Sequence, residues 1–283
     1  MIPRENLTYE NVLSEIRTVH QNNYNESRID VIERVFKDVI ALFSGNKRGF
    51  QKCDVKYHDL VHTFQVILPF VYIINGWNTS GKTPKISEKF FDMGIISVLL
   101  HDTGYIKSDD DTEGTGAKYT FAHVQRSANF AGEYLSRIGF EKDLIPCVRN
   151  TIMCTGVSVE YASIHFRSEE ERIIGCALGT ADLLGQMSAD DYLEKLPVLF
   201  SEFQEAYQYE GIEKLKQIGT HIFKSSDELM KHTPYFYEMV VMKKFNEMGS
   251  LHTYLTYHFG NSKNPYIEAI ERNIQKIKHL SLS

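Results

Sequence analysis

The chain has 283 residues, of which 42% are hydrophobic and 24% are charged, as in an ordinary globular protein. Its formal net charge of −6, with no long basic run, disfavours nucleic acid and anionic membranes as partners. Cys53, Cys147, Cys154 and Cys176 form no C-x-x-C motif, which argues against a zinc knuckle and for reduced thiols. With no apolar leader and no run near about 18 apolar residues, we expect a cytoplasmic protein without a membrane span.

Apolar residues recur at spacings of three and four along nearly every long segment, which predicts an all-α fold of about ten helices. We expect a single domain over residues 1–283, with a core of about 50–210. The helices of 1–49 and of 211–283 then pack on that core. The predicted helices span about 9–20, 28–44, 57–75, 87–103, 119–138, 141–154, 169–187, 189–207, 210–231, 234–248 and 265–280.

Capping residues support several of these boundaries. Ser27 stands before the second helix, and Ser168 opens a capping box before the helix of 169–187. The dipeptides Thr233-Pro234 and Asn264-Pro265 each place a capping residue before a proline at the first helical position. No strand alternation or hairpin turn interrupts this helical pattern.

Two segments imitate known ligand-binding motifs. Gly76-x-x-x-x-Gly81-Lys82-Thr83 matches the P-loop pattern, but a P-loop lies between a strand and a helix. Here a helical pattern precedes the segment, and Pro84 breaks the chain before a second helix can begin, so we expect no P-loop. The acidic stretch 107–118 begins like an EF-hand loop but has Thr120 at the twelfth position instead of glutamate. We interpret it as a solvated, mobile loop that acts as a lid beside a site.

A histidine and an aspartate, His101-Asp102, directly follow an apolar run, where charged side chains need partners. His58 and His62 are four residues apart and therefore share one face of a helix. Asp182 lies in another apolar helical segment. Singly, each residue fits an ordinary capping or surface role. Together, His62, His101, Asp102 and Asp182 supply two imidazoles and two carboxylates, a donor set that suits a divalent Mn, Fe, Mg, Zn or Ni ion.

In chain order these residues read His62…His101-Asp102…Asp182, which resembles the H…HD…D signature of the HD-domain metal-dependent phosphohydrolases. The resemblance covers about residues 50–210. It implies an all-α fold and a divalent ion held by these four residues. It also implies hydrolysis of a nucleotide or cyclic nucleotide phosphoester by a metal-activated water, with Asp102 and Asp182 positioning that water.

The segment Tyr57-His58-x-x-x-His62-Thr63 is also similar to one in the cyclic nucleotide phosphodiesterases of that superfamily, with Asp59 where they have asparagine. This resemblance implies that His58 protonates the leaving oxygen. Their purine-binding glutamine has no assigned counterpart here. Gln186 is a candidate substrate contact because it lies one turn after Asp182 on the same helical face.

The same resemblance bears on a second metal site. His123 opens a helix in a setting where HD proteins place a histidine for a second metal or for phosphate. Asp102 is the residue that would bridge two ions. Where dinuclear members have a further histidine, this chain has Cys154 or Thr155, so we expect a second ion to be completed by water. His165 is a further candidate because it follows a flexible stretch.

Tyr105 replaces the lysine of the common H-D-x-G-K form, and Lys107 and Arg126 are either phosphate contacts or solvated charges. Two other functions stay open: a regulatory module that binds metal or nucleotide without catalysis, and a di-iron HD oxygenase, which needs more histidine ligands. The expected substrate is a small phosphoester, a nucleotide above all. The sequence leaves the oligomeric state open, with a homodimer as one alternative.

Overall fold

A computed structural model describes residues 6–24, 29–260 and 263–280, and within these ranges the fold is all-α, as predicted. The described residues contain an isolated β-bridge between Phe50 and Ser108 and no strand. The helices are α1 (Tyr9–Asn23), α2 (Asp30–Phe43), α3 (Leu60–Thr79), α4 (Glu88–Leu100), α5 (His123–Arg137), α6 (Ile145–Met153), α7 (Glu169–Met187), α8 (Tyr192–Glu210), α9 (Ile212–Gln217), α10 (Ser226–Phe236), α11 (Met242–Glu247), α12 (Leu255–His258) and α13 (Pro265–Leu280).

The central element is α3, which packs against α1, α4, α7 and α12. By length and apolar composition alone, α3 is a candidate to cross a membrane, but 83% of its most apolar window is buried inside the protein. Those are the properties of a core helix, since apolar residues all round a helix need protein neighbours on every side. The N-terminal α2 packs on α4, and the C-terminal α13 packs on α7, α8 and α10.

Helix boundaries that depend on local caps were predicted well. The side chain of Ser168 accepts a hydrogen bond from the Glu171 amide at 3.1 Å, and α7 has the predicted bounds. The side chain of Asn264 accepts one from the Ile267 amide at 3.3 Å before α13. Ser27 lies outside the described residues.

The C-terminal third departs from the prediction. The expected helix of 210–231 is two helices, because the chain leaves α9 through Gly219 at a positive φ of 80°. The cap of α10 is Ser225, and the predicted cap dipeptide Thr233-Pro234 lies inside that helix. A π-helical turn, Tyr237–Val241, follows directly. Because proline removes one hydrogen bond from a helix interior, an irregular turn beside it is a natural adjustment.

The stretch 107–118 is solvated over most of 108–114, as predicted, whereas both of its ends are buried; its mobility and its role as a lid stay predictions. Lys107 and Lys118 turn inward and are each 5% exposed. The Lys107 amine donates to the carbonyl oxygen of Gly114 at 2.5 Å, and the Lys118 amine contacts the Asp111 carboxylate. These two bonds cross-link the loop internally. Other bonds attach it to the protein, because the Gln51 side-chain amide donates to the carbonyl oxygen of Ser108 at 2.7 Å and the Thr115 hydroxyl donates to Glu205 at 2.7 Å.

The segment 76–83 matches the P-loop pattern in sequence, but its first glycine, Gly76, lies within α3 and not after a strand. A Cβ at Gly76 would be 1.9 Å from the carbonyl oxygen of Tyr254, which is backbone that cannot rotate away.

We expect Gly76→Ala to lower the free energy of unfolding in urea by about 1–3 kcal/mol. Gly132→Ala is the control, since the tightest contact of its Cβ would be the flexible Arg149 side chain at 3.2 Å, with Ile145 at an ordinary 3.8 Å, and alanine favours a helix. Equal stability of the two variants would contradict the close approach at Gly76.

Candidate metal centre

Three helices bring the four predicted ligands together. His62 lies in the first turn of α3, where the Asp59 side chain caps the helix by accepting from the His62 amide at 2.9 Å. His101 and Asp102 follow the end of α4, and Asp182 projects from α7. We call His62, His101, Asp102 and Asp182 the four-residue cluster.

The donor atoms of the four-residue cluster converge. The Nε2 atom of His62 is 3.1 Å from Oδ1 of Asp182 and 3.4 Å from Oδ2 of Asp102. The Nε2 atom of His101 is 3.3 Å from Oδ2 of Asp102 and 3.8 Å from Oδ1 of Asp182. Donor atoms that share one divalent ion, each about 2.0–2.2 Å from it, lie roughly 3–4 Å apart. The spacing of His62, His101 and Asp102 therefore fits one shared ion, and Asp182 adjoins the nitrogens of both histidines.

Burial and hydrogen bonding also fit a metal. His62, His101 and Asp102 are buried, and neither Nε2 of His101 nor Oδ2 of Asp102 has a hydrogen-bond partner among the described residues. Buried polar atoms without a partner are costly. The Nδ1 atom of His101 lies 2.7 Å from the carbonyl oxygen of Val98, which assigns the proton to Nδ1 and the lone pair of Nε2 to the cluster.

The charges inside the cluster are strongly coupled. Burial by itself would lower the pKa of His101, but the adjacent Asp102 carboxylate raises it to about 9. Burial by itself would raise the pKa of Asp102, but His101 and the other histidines hold it well below its usual range. A divalent ion that binds here must displace the second proton of His101, so metal binding should weaken as the pH falls.

His123 faces the other oxygen of Asp102. Its Nε2 atom is 3.8 Å from Oδ1 of Asp102, and its Nδ1 atom lies 2.6 Å from the carbonyl oxygen of Thr120. Burial lowers the pKa of His123 to about 4, so its imidazole is neutral at pH 7. Asp102 thus presents one oxygen to His62 and His101 and the other to His123, which is the arrangement a bridging carboxylate needs.

The other candidates for a second ion lie elsewhere. The Sγ atom of Cys154 contacts the carbonyl oxygen of Asn150 at 3.4 Å, and the Thr155 hydroxyl donates to the carbonyl oxygen of Ile152 at 2.9 Å. His165 is exposed on a loop. The structure does not bring these three side chains to the cluster.

His58 has a partner that the sequence did not reveal. Its Nδ1 atom is 2.8 Å from Oε2 of Glu202, a buried residue of α8. The other carboxylate oxygen accepts from the amides of Tyr57 at 2.7 Å and Lys56 at 2.9 Å. Burial by itself would lower the pKa of His58, but Glu202 outweighs it and the pKa is raised. Glu202 therefore fixes the ring, assigns a proton to Nδ1 and leaves Nε2 free for chemistry.

The ring of Tyr105 packs against the imidazole rings of His58 and His123. Its ring stacks on His58 and on His123, with 4.5 Å between ring centroids in each pair. The two imidazoles are 5.8 Å apart, so they lie side by side over one face of the tyrosine. At the position where the common form has lysine, this chain has an aromatic platform that orients two histidines.

Gln186 adjoins this group. The Tyr57 hydroxyl donates to Oε1 of Gln186 at 3.1 Å, and Gln186 lies on α7 four residues after Asp182. Gln186 therefore lies next to Tyr57, and its role as a substrate contact stays a prediction.

Lys107 and Arg126 were predicted as phosphate contacts. In the structure both side chains donate hydrogen bonds to backbone carbonyl oxygens. Lys107 bonds within its loop and lies 3.4 Å from Asp54. Arg126 donates to the carbonyl oxygens of Gly104 at 2.7 Å and Ile106 at 3.2 Å, and its guanidinium lies 3.5 Å from the centroid of the Tyr119 ring. Their hydrogen bonds favour structural roles over phosphate binding.

Comparison with known proteins places the chain in one family. A comparison with curated proteins gave no match. The model of the Npun_R2479-like family matches residues 110–279, which include His123, Asp182 and Glu202. Since the match covers more than half of the sequence, the chain belongs to the Npun_R2479-like family.

Proposed function

We propose that the chain is a divalent-metal-dependent hydrolase of a small phosphoester, a nucleotide or cyclic nucleotide, with the chemistry of the HD-domain phosphohydrolases it resembles. The observation that carries the proposal is the buried convergence of two imidazole nitrogens and two carboxylate oxygens, with unpartnered donor atoms on His101 and Asp102. The donors fit a divalent ion better than they fit each other. Most buried polar side-chain atoms have hydrogen-bond partners, so two unpartnered atoms on adjacent residues of one cluster favour a site for an added ion.

A divalent ion held by the four-residue cluster would supply Lewis-acid polarisation of a phosphate oxygen and an acidified water as nucleophile. Asp182 is less buried than Asp102, which suits it to contact that water and accept its proton. Asp102 stays ionised, because His101 and the neighbouring histidines hold its pKa down. His123 is neutral and adds a further nitrogen on the opposite oxygen of Asp102.

His58 supplies the proton for the leaving oxygen. Its raised pKa keeps the imidazolium populated, and its side chain is partly open to solvent. Glu202 makes the imidazolium stable, just as a carboxylate does for the histidine of a hydrolase triad. Tyr105 holds the ring plane, so the proton on Nε2 has a fixed direction.

A metal analysis combined with a substrate screen tests this proposal. The purified full chain is assayed for bound Mn, Fe, Mg, Zn and Ni, then for turnover of phosphomonoesters and of cyclic nucleotides. We expect chelation to abolish turnover and added metal to restore it. Tight metal binding without turnover of any phosphoester would favour a regulatory module. Oxygen consumption with an organic substrate would favour a di-iron oxygenase.

Replacing Glu202 by glutamine tests how His58 is positioned. Because Glu202 raises the pKa of His58, its loss should lower that pKa. A general acid must be protonated, so activity falls as the pH rises through its pKa, and the alkaline limb of the pH–kcat profile should move to lower pH. We also expect kcat to fall by up to about 10²-fold.

Glu205→Gln is the matched control, since Glu205 also lies on α8 but bonds to the Thr115 hydroxyl at 2.7 Å. Its alkaline limb should not move. An unchanged limb in Glu202→Gln would remove Glu202 from the mechanism.

A further inference from the structure

The candidate metal centre opens to solvent on one side. The side chains of His58, Asp182 and His123 are 13%, 14% and 19% exposed, whereas those of the other cluster residues are at most 3% exposed. We call His58, Asp182 and His123 the mouth of the site. A substrate that comes from solvent therefore reaches the four-residue cluster past these three side chains.

Helix α8 lies beside the mouth. Glu202 of α8 is bonded to His58, with 2.8 Å between Oε2 and Nδ1. Lys195 lies two helical turns before Glu202, so both side chains are on one face of α8. Both also adjoin Tyr57, because Glu202 accepts from the Tyr57 amide at 2.7 Å and Nζ of Lys195 lies 5.6 Å from the centroid of the Tyr57 ring. The face of α8 that holds the proposed general acid therefore also carries a cation.

Tyr57 connects Lys195 to the site. The centroid of its ring is 4.9 Å from that of His58 and 6.4 Å from that of His62. Its hydroxyl donates to Oε1 of Gln186 at 3.1 Å, which fixes the ring against α7. The ring that the Lys195 ammonium adjoins is thus also a neighbour of the proposed acid and of a candidate metal ligand.

The Tyr57 ring also positions the Lys195 ammonium. A lysine ammonium within about 6 Å of a tyrosine centroid is attracted by the negative face of the ring. An ammonium group has three N–H donors, so it can meet a ring, a neighbouring residue and a phosphate oxygen together. The flexible stem of lysine lets the group turn from the ring toward a bound phosphate.

The charges of the site leave a task for a further cation. Asp102, Asp182 and Glu202 place three carboxylates at the cluster and beside the mouth. A divalent ion and a protonated His58 together balance these three charges. The negative charge of a bound phosphoester then remains, and a cation beside the mouth favours its binding.

We propose that Lys195 is a substrate-binding residue whose ammonium pairs with a negatively charged phosphate oxygen that the metal does not hold. The words substrate and metal here rest on the proposed function. Lys107 and Arg126, the cations that the sequence suggested for this task, donate to backbone carbonyl oxygens instead. Lys195 thus fills the role predicted for them and makes the site selective for anionic esters.

Lys195→Gln tests this pairing through the separate effects on KM and kcat. The contact exists in the bound substrate as well as in the transition state, so its loss should raise KM for p-nitrophenyl phosphate about tenfold and change kcat less than about twofold. Lys195→Arg keeps the charge and should restore most of the affinity. Lys216→Gln is the matched control, since Lys216 is 55% exposed on α9 and pairs with Glu213 at 2.9 Å, and its KM should equal that of wild type. An unchanged KM in Lys195→Gln overturns the inference.

Chemical labelling of the wild-type chain gives a readout that needs neither turnover nor a folded variant. Lysine amines are acetylated in the presence of Mn²⁺, with and without inorganic phosphate, and the extent at each lysine is read by mass spectrometry. We expect phosphate to slow the acetylation of Lys195 severalfold and to leave that of Lys216 unchanged. Equal acetylation of Lys195 under both conditions overturns the inference as well.

The outcomes separate this inference from the proposed function. Phosphate protection of Lys195 in a chain that hydrolyses no phosphoester would leave the anion site standing and remove the hydrolase. Metal-dependent turnover with an unchanged KM in Lys195→Gln, or with an unprotected Lys195, removes the role of Lys195 alone.

Discussion

Asp102→Ala is expected to lower metal affinity by at least about 100-fold and to abolish phosphoester turnover. Asp102 lies within 3.4 Å of both cluster histidines and presents its other oxygen to His123. Loss of a residue that only supports a ligand typically costs 10- to 100-fold in affinity, so about 100-fold is a lower limit for a shared ligand. Metal content after dialysis and a competition titration measure the effect.

Thermal stability provides a readout that does not require activity. A metal that binds only the folded chain raises the melting temperature with concentration. We expect this rise in wild type and in His165→Ala, whose histidine is exposed and away from the cluster. The rise should be absent in Asp102→Ala and in His101→Ala. Full metal content in both of these variants would show that the cluster is not the metal site.

His58→Ala should keep the metal and lose about 10²- to 10⁴-fold in kcat, the usual contribution of a general acid. The Nδ1 atom of His58 is bonded to Glu202, and the ring lies over Tyr105, so alanine removes the proton donor without touching the cluster. The loss should be smallest for p-nitrophenyl phosphate, because its leaving group needs little protonation.

The pH dependence gives a second check on His58. Its pKa is raised in the folded protein, so the acid is active at low pH and activity is lost as the pH rises through that raised value. His58→Ala should lack this alkaline limb. If His58→Ala loses the metal instead, His58 is a ligand and its assignment as the acid is wrong.

Local chemistry determined the parts of the fold that the sequence predicted well. The bounds of α7 and α13 follow from capping by Ser168 and Asn264 and from apolar spacing within one helix. The break at Gly219 and the π-helical turn after Pro234 were not predicted. Glycine permits several backbone conformations, and a proline inside a helix removes one hydrogen bond without specifying how the helix adjusts, so packing decides the outcome.

The roles of buried charged side chains likewise depend on packing and not on local sequence. From sequence, Lys107 and Arg126 are cations near a predicted phosphate site. Only the tertiary structure shows that both groups already donate to carbonyl oxygens, Lys107 to that of Gly114 and Arg126 to those of Gly104 and Ile106.

The sequence by itself determined the types of the candidate ligands and the segments that carry them: His62, His101, Asp102 and Asp182 stand in apolar segments where unpaired charges are costly. Only the tertiary structure decided that their donor atoms meet, since α3, α4 and α7 must pack to bring them within 4 Å. It also decided the partner of His58. Glu202 is 144 residues away, and no spacing rule connects residues whose proximity depends on how two distant helices pack.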